Sequence, residues 1–347
     1  MKQDLTMTDT TVREDTSAPA RAPFSLTRYV GFRNIGAVYV WIAMIALFAI
    51  WIPALWLRPA TFTSIVNDYA VTALVALSLV IALAARLFDL SIASTVSLGG
   101  VVAGALLTNT DLPPLVCALI AVLSGALVGA ANAFAVVVLK LDSLLATLGT
   151  GAIVAALAIA VSGDRILTER MTGEYSSIAT TRVFGIDVSF LYVLILMVVI
   201  GLITEQTVIG RRLYATGFNA EAARLMGIRV NRIRTGAFMF TGAIAAFAGV
   251  ILTARLQAAS PDAGAHYLIP AFSAAFLGAT QFRAGRFNAW GTVVAVLVIG
   301  TGSLGLILAG VPSWAPQVFS GLILIIAVAI TVADWKPRRR KSEPAAG

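Results

Sequence analysis

Residues 114–139 read P-L-V-C-A-L-I-A-V-L-S-G-A-L-V-G-A-A-N-A-F-A-V-V-V-L, without a single Asp, Glu, Lys or Arg. A helix needs about 20 apolar residues to cross the ~30 Å hydrocarbon layer of a bilayer. This stretch meets that length with residues to spare, and its first charged neighbours are Asp111 and Lys140. It predicts a membrane-spanning helix.

The rest of the chain repeats the pattern. Of 347 residues 59% are apolar and 12% charged, against roughly 45–50% and about 25% in a soluble domain. Runs of comparable character cover 36–57, 66–85, 91–108, 143–162, 183–203, 235–257, 267–282, 288–310 and 314–333, which makes about ten spans at the length a bilayer requires. The third and eighth, 91–108 and 267–282, are the shortest. The expected fold is all-α: a polytopic bundle over 35–335, with a polar tail at 1–34 and a basic tail at 336–347. The first tail has too little apolar surface to fold alone. The run after it is too long for a signal peptide and lacks a small-residue cleavage site.

Charge sets the expected orientation. With ten spans, Arg58, Arg165, Arg170, Arg182 and Arg255 fall on one side, and the other twenty of the 25 Lys and Arg fall on the opposite side. Cytoplasmic loops are enriched in Lys and Arg, so both termini are placed in the cytoplasm. The net charge of +8 is therefore a sign of topology and not of nucleic-acid binding. One cysteine, Cys117, and one histidine, His266, provide no metal or cofactor site and no paired catalytic groups.

Small residues at helix-packing spacing, Gly100-x-x-x-Gly104 and Gly125-x-x-x-Gly129, read as seams where backbones approach closely. Polar residues in or beside spans are costly in lipid; they are Asn67, Asp68, Arg86, Asp89, Asn132 and Glu205. Asp89 and Ser91 interrupt the apolar sequence at 88–94, where either can cap the next helix or form a plain turn. With Asn132 and Thr147 they are the candidates for lining a translocation pathway.

The connection at 204–234 is long and basic, and its core reads G210-R-R-L-Y-A-T-G-F-N-A-E-A-A-R-L-M-G-I-R-V-N-R-I-R234. It holds one short helical pattern. Asn219 fits an N-cap, Glu221 the first turn, and Gly227 the position after the C-cap. Ala222, Leu225 and Met226 share a face, and Glu221 and Arg224 form an i,i+3 pair. So short a helix is marginal by itself in water. Either the membrane surface or a partner protein would support it.

This segment resembles the cytoplasmic loop of permease subunits of bacterial ribose-type ABC sugar importers. The matching positions are Gly210, Arg211, Tyr214, Ala215, Gly217, Asn219, Ala222-Ala223, Gly227, Ile228 and Val230. Asp89-Leu90-Ser91 with Gly99-Gly100, then Thr147-Leu148-Gly149-Thr150, then Leu277-Gly278, Gly285-Arg286 and Gly291-Thr292 resemble further family motifs in the same order. The resemblance covers about 36–333. It departs at Ala93 and Leu277, where the family often has Gly, and this leaves the sugar open.

The resemblance implies that the helix around 219–227 couples to a separate ATP-binding cassette subunit, with Gly210, Arg211, Asn219, Glu221, Ala222, Ala223, Arg224 and Gly227 in that contact. The chain has no Walker-type Gly-x-x-x-x-Gly-Lys-Ser/Thr sequence, so ATP hydrolysis falls to the partner. A periplasmic or extracellular sugar-binding protein and a second permease copy, identical or closely related, are implied as well. The location implied is the bacterial cytoplasmic (inner) membrane. Three rival readings stand beside this one: a branched-chain amino-acid permease of the same architecture, an ion-driven secondary carrier, and an intramembrane enzyme.

Overall fold

The structure is a computed structural model and describes residues 32–282 and 285–335. Residues 1–31 and 336–347 of the two expected tails, and Arg283, lie outside the described residues.

Helix α1 (Phe32–Trp51) leads through a single turn, α2 (Pro53–Trp56), into α3 (Pro59–Asp68) and α4 (Ala70–Ala84). The last two meet at a bend of 41°. Next come α5 (Ile92–Asn109), α6 (Pro114–Ala133) with a π turn at Phe134–Val138, and α7 (Ser143–Ser162). Beyond them are α8 (Glu174–Thr180), a hairpin of β1 (Arg182–Val183) and β2 (Ile186–Asp187), and α9 (Val188–Gln206). The short helices α10 (Val208–Phe218) and α11 (Ala220–Leu225) precede α12 (Val230–Leu256). A 3-10 turn (Ala263–Tyr267), α13 (Leu268–Ala279), α14 (Ala289–Leu308) and α15 (Ala315–Trp335) follow.

Among the described residues six helices are long and apolar enough to cross a membrane: α5, α6 with its π turn, α7, α9, α12 and α14. The bent pair α3–α4 reaches that length and character only when taken as one broken span, and Gly36–Trp51, Ala263–Ala279 and Ala315–Thr331 are shorter apolar helices. The run expected at 183–203 starts late, because Arg182–Asp187 forms the hairpin. Its two-residue turn, Phe184-Gly185, has φ of 53° and 83°, the left-handed pair a tight hairpin needs. The run expected from 66 starts early, at Pro59, since a proline at the first position of α3 suits a helix start.

Helix α4 is buried on every side, as its unbroken apolar sequence requires. Helix α12 packs against α4, α5 and α6, and glycines set how closely. A Cβ on Gly129 would strike the Phe238 carbonyl oxygen, and one on Gly249 would strike that of Val96. Gly125 and Gly242 stand in the same relation to each other across α6 and α12. Without apolar burial to drive helices together in lipid, this backbone approach supplies much of the association.

The sparsely charged end of the bundle is held by a cluster of ions. Arg255, from the end of α12, reaches Asp68 of α3 at 3.0 Å and Asp187 of β2 at 3.1 Å. Arg182 lies 3.6 Å from Asp187, and the Asn67 side chain accepts from the Asp187 backbone N–H at 3.1 Å. Three separate elements are thus tied at one guanidinium, and Asn67 and Asp68 find their partners here. Arg255→Gln should cost a few kcal/mol, somewhat below the ~3–5 of a fully buried pair, because Asp187 is left with little solvent. Thermal unfolding in detergent checks this. Asp68→Asn should lose less, since the Asp68 side chain is 56% exposed.

Candidate functional site

The basic connections gather at the opposite end. Arg86 (between α4 and α5), Tyr214 and Ala215 of α10, and Arg286 and Phe287 before α14 line one cavity of about 550 Å³. The Arg286 guanidinium lies 3.9 Å from the centre of the Tyr214 ring, and the Tyr214 hydroxyl donates to the Phe287 carbonyl at 2.6 Å. This fixes α10 against the rest of the bundle.

The loop expected to hold one short helix holds two. Helix α10 begins at Thr207, whose hydroxyl accepts from the Gly210 N–H at 3.2 Å. Gly210 packs on the Thr204 carbonyl and Gly217 on that of Ala84, each leaving no room for a Cβ. These glycines look like helix breakers in sequence, yet they sit where α10 must touch neighbouring backbone.

Helix α11 follows the expected pattern closely. The Asn219 side chain accepts from the Ala222 N–H at 3.0 Å, and Arg224 reaches Glu221 at 3.3 Å. Gly227 has φ of 78°. The Gly227 N–H donates to the Arg224 carbonyl at 2.9 Å and the Ile228 N–H to the Ala223 carbonyl at 3.0 Å, which is the Schellman pattern of bonds at a helix end. Six residues therefore form a helix because both ends are satisfied and Ala223, fully buried, is packed on the chain itself.

The predicted coupling residues separate into two kinds. Asn219, Ala223 and Gly227 build and seat α11, with Ala223 facing inward and offering nothing to a partner, while Gly210 seats α10. Arg211, Glu221 and Arg224 are exposed, and Ala222 is half-buried. The largest outward apolar surface comes from Phe218, Leu225 and Met226, exposed by 83%, 89% and 69%. Leu225 and Met226 carried a signal in the i+3, i+4 pattern. Phe218 did not, since it precedes the cap.

The structure brings the four pathway candidates together. Asp89 Oδ1 accepts from the Ser91 N–H at 3.0 Å, the Ser91 hydroxyl at 2.6 Å and the Asn132 amide at 3.2 Å. The Asn132 amide also donates to the Ser91 hydroxyl at 2.7 Å. Thr147 accepts from the Leu90 N–H at 3.0 Å, and Ser143 accepts from the Phe88 N–H at 3.2 Å. The break at 85–91 is thereby stitched to α6 and α7. Asp89, Ser91, Asn132 and Thr147 are all buried, and among the described residues Asp89 Oδ2 and Asn132 Oδ1 have no hydrogen-bond partner. Ser91 is the residue before α5 but its side chain makes no cap; Asp89 turns back onto it instead.

At the sparsely charged end, a cavity of about 410 Å³ is lined by Ser94, Ser97, Asp164, Arg165, Ser260 and Asp262, among others. The Ser260 hydroxyl bonds Asp262 and holds its carboxyl below the usual carboxylate range. His266 is exposed in the adjoining 3-10 turn.

Comparison with known proteins gives the family. The chain is 30% identical over 268 residues to the ribose import permease protein of Haemophilus influenzae, covering 76% of this chain and 83% of that one. It is 29% identical over 320 residues to the D-allose transport system permease protein of Escherichia coli K12, covering 92% and 97%. It is 32% identical over 267 residues to the autoinducer 2 import system permease protein of Escherichia coli O9:H4, covering 76% and 81%. No solved structure matches. The family model described as "branched-chain amino acid transport system / permease component" matches residues 61–328. With that match over most of its length, the chain belongs to this family of multi-pass membrane permeases and is a transport subunit, not an enzyme.

Proposed function

We propose that this chain forms the translocation pathway of an ATP-driven importer for a monosaccharide or related polyol and takes its energy from a separate ATPase subunit through α11. The observation that carries this reading is a six-residue helix presented at the basic end with Phe218, Leu225 and Met226 uncovered beside it. Large apolar side chains on a polar, charged rim mark a contact with another protein or a membrane, and the family resemblance of this loop favours the protein. The sugar class rests on the relatives, whose names specify ribose, allose and autoinducer 2. A substrate-binding protein on the sparsely charged side and a second permease copy complete the proposed assembly.

Alternating access follows from such an arrangement. Closure of the ATPase pair moves α11, and the bundle reopens on its other face. The Asp89, Ser91, Asn132 and Thr147 cluster is proposed to border the pathway. Its two unpartnered acceptors, Asp89 Oδ2 and Asn132 Oδ1, suit the hydroxyl donors of a sugar once the break at 85–91 opens, and a buried acceptor without a donor costs about 1–3 kcal/mol until then.

The test is uptake of labelled D-ribose and D-allose into proteoliposomes holding this chain with its cognate ATPase and binding protein. ATP-dependent accumulation of either sugar supports the reading. Accumulation by the chain alone, following an imposed ion gradient, would identify a secondary carrier and sink it.

A further inference from the structure

Where α6 ends and α7 and α12 begin, a groove of about 450 Å³ is lined by Arg86, Lys140, Asp142, Arg224, Asn231 and Arg234. These are the ends of membrane-length helices, so the groove lies at the level of the lipid headgroups. Four of its eleven lining residues are cations. The one lining carboxylate, Asp142, is engaged in capping α7, accepting from the Leu144 N–H at 2.9 Å and the Leu145 N–H at 3.3 Å. Glu221 faces Arg224 at 3.3 Å. Among the described residues Arg234 Nε is buried without a hydrogen-bond partner, and Lys140 is held in the left-handed region at φ 59°. Lys140 and Arg234, which form no ion pair among the described residues, leave the groove with a surplus of positive charge.

Its flank is of the opposite character. Leu141, which lines the groove, is 50% exposed, and Phe134, Val138 and Leu145 beside it are 56%, 60% and 67% exposed. A cationic pocket continuous with an apolar helix surface matches an amphiphile whose acidic head and acyl chains occupy the two parts. We infer that this groove holds the phosphodiester headgroup of an anionic phospholipid, with its chains along Phe134, Val138 and Leu145. Basic pockets between membrane helices take such headgroups. Because Arg224 belongs to α11, the bound lipid touches the same short helix that projects from the bundle. This inference depends only on the chain spanning a membrane and stands apart from the ATPase and sugar readings.

Native mass spectrometry of the full chain in mixed micelles of phosphatidylglycerol and phosphatidylcholine tests it. Wild type should retain phosphatidylglycerol preferentially. Lys140→Gln with Arg234→Gln should cut that preference about thirtyfold, at ~1 kcal/mol for each basic residue removed. Arg212→Gln with Arg232→Gln, which removes equal charge from exposed positions outside the groove, should leave it unchanged. If the groove pair does not fold, Lys140→Gln alone, at an exposed loop position, should still cut it about fivefold. An equal loss in the control pair would assign the preference to the general field of the basic end and overturn the site. So would the absence of preference in wild type. Displacement by millimolar inorganic phosphate would make it a free-anion site, and displacement by a polyglutamate peptide would make it an acidic-protein site. Either result overturns the lipid assignment.

Discussion

Leu225→Asp combined with Met226→Asp should abolish stable association with the ATPase subunit while leaving the membrane bundle intact. Both side chains are largely exposed and support nothing in their own chain, so their replacement should change stability by no more than about 0.5 kcal/mol. In a protein contact they are the outermost apolar anchors, and anchors of that kind are worth about 2 kcal/mol or more, roughly thirtyfold in affinity. Two buried carboxylates would add a desolvation cost. Co-purification with the cognate ATPase, beside a thermal melt of the permease alone, reads both quantities. Undiminished binding would show that α11 is not the contact. Ala223→Glu is the informative companion, since Ala223 is buried against its own chain. It should lower the melt as well as the binding, and so cannot report on the partner by itself.

Gly129→Leu should have the larger effect on the fold. The Phe238 carbonyl already occupies the space of its Cβ, and that atom belongs to backbone which cannot rotate away. The α6–α12 crossing must open, and Gly125 and Gly242 lose their contact with it. Overpacking of this kind costs ~1–3 kcal/mol and occasionally more. The upper part of that range is expected here because the clash is with backbone. Gly236→Leu on α12 is the control, with nothing within 4 Å of its Cβ. Fluorescence-detected gel filtration after a heat step should show Gly129→Leu lost and Gly236→Leu retained. Equal survival of the two would remove the glycine seam as the determinant of packing.

The all-α polytopic bundle was legible in sequence because lipid demands long uncharged runs, and little else in a chain mimics them; of the ten expected spans, six have membrane length outright among the described residues. The α11 signature was legible because capping is local: Asn219 and Gly227 act within a few residues of themselves. What escaped was whatever depended on distant contacts. Helix α10 contains Gly210 and Gly217, and only the carbonyls of Thr204 and Ala84 explain why a helix tolerates them there. The hairpin at Arg182–Asp187 hid inside an apolar run because Val183, Phe184 and Ile186 read as the start of a span. Asp89, Ser91, Asn132 and Thr147 were grouped as pathway candidates, but not as one bonded cluster. Their union needs bonds between residues 41 to 57 positions apart, which no local pattern encodes. The exposure of Leu225 and Met226, as against the burial of Ala223, likewise came only from knowing how α11 sits.

Helix α12 runs for 27 residues, about 40 Å at 1.5 Å per residue. It starts one turn after α11 and ends in the guanidinium that fastens α3 and the hairpin. An unbroken helix has no joint at which to shorten, so α12 has the build of a strut between Val230 and Arg255. Compliance has to be sought where the backbone is interrupted, at the 41° bend between α3 and α4 and at 85–91. Stiffness along one axis and joints at two levels are the mechanical parts of a lever, and only the joints need to yield when the molecule changes shape.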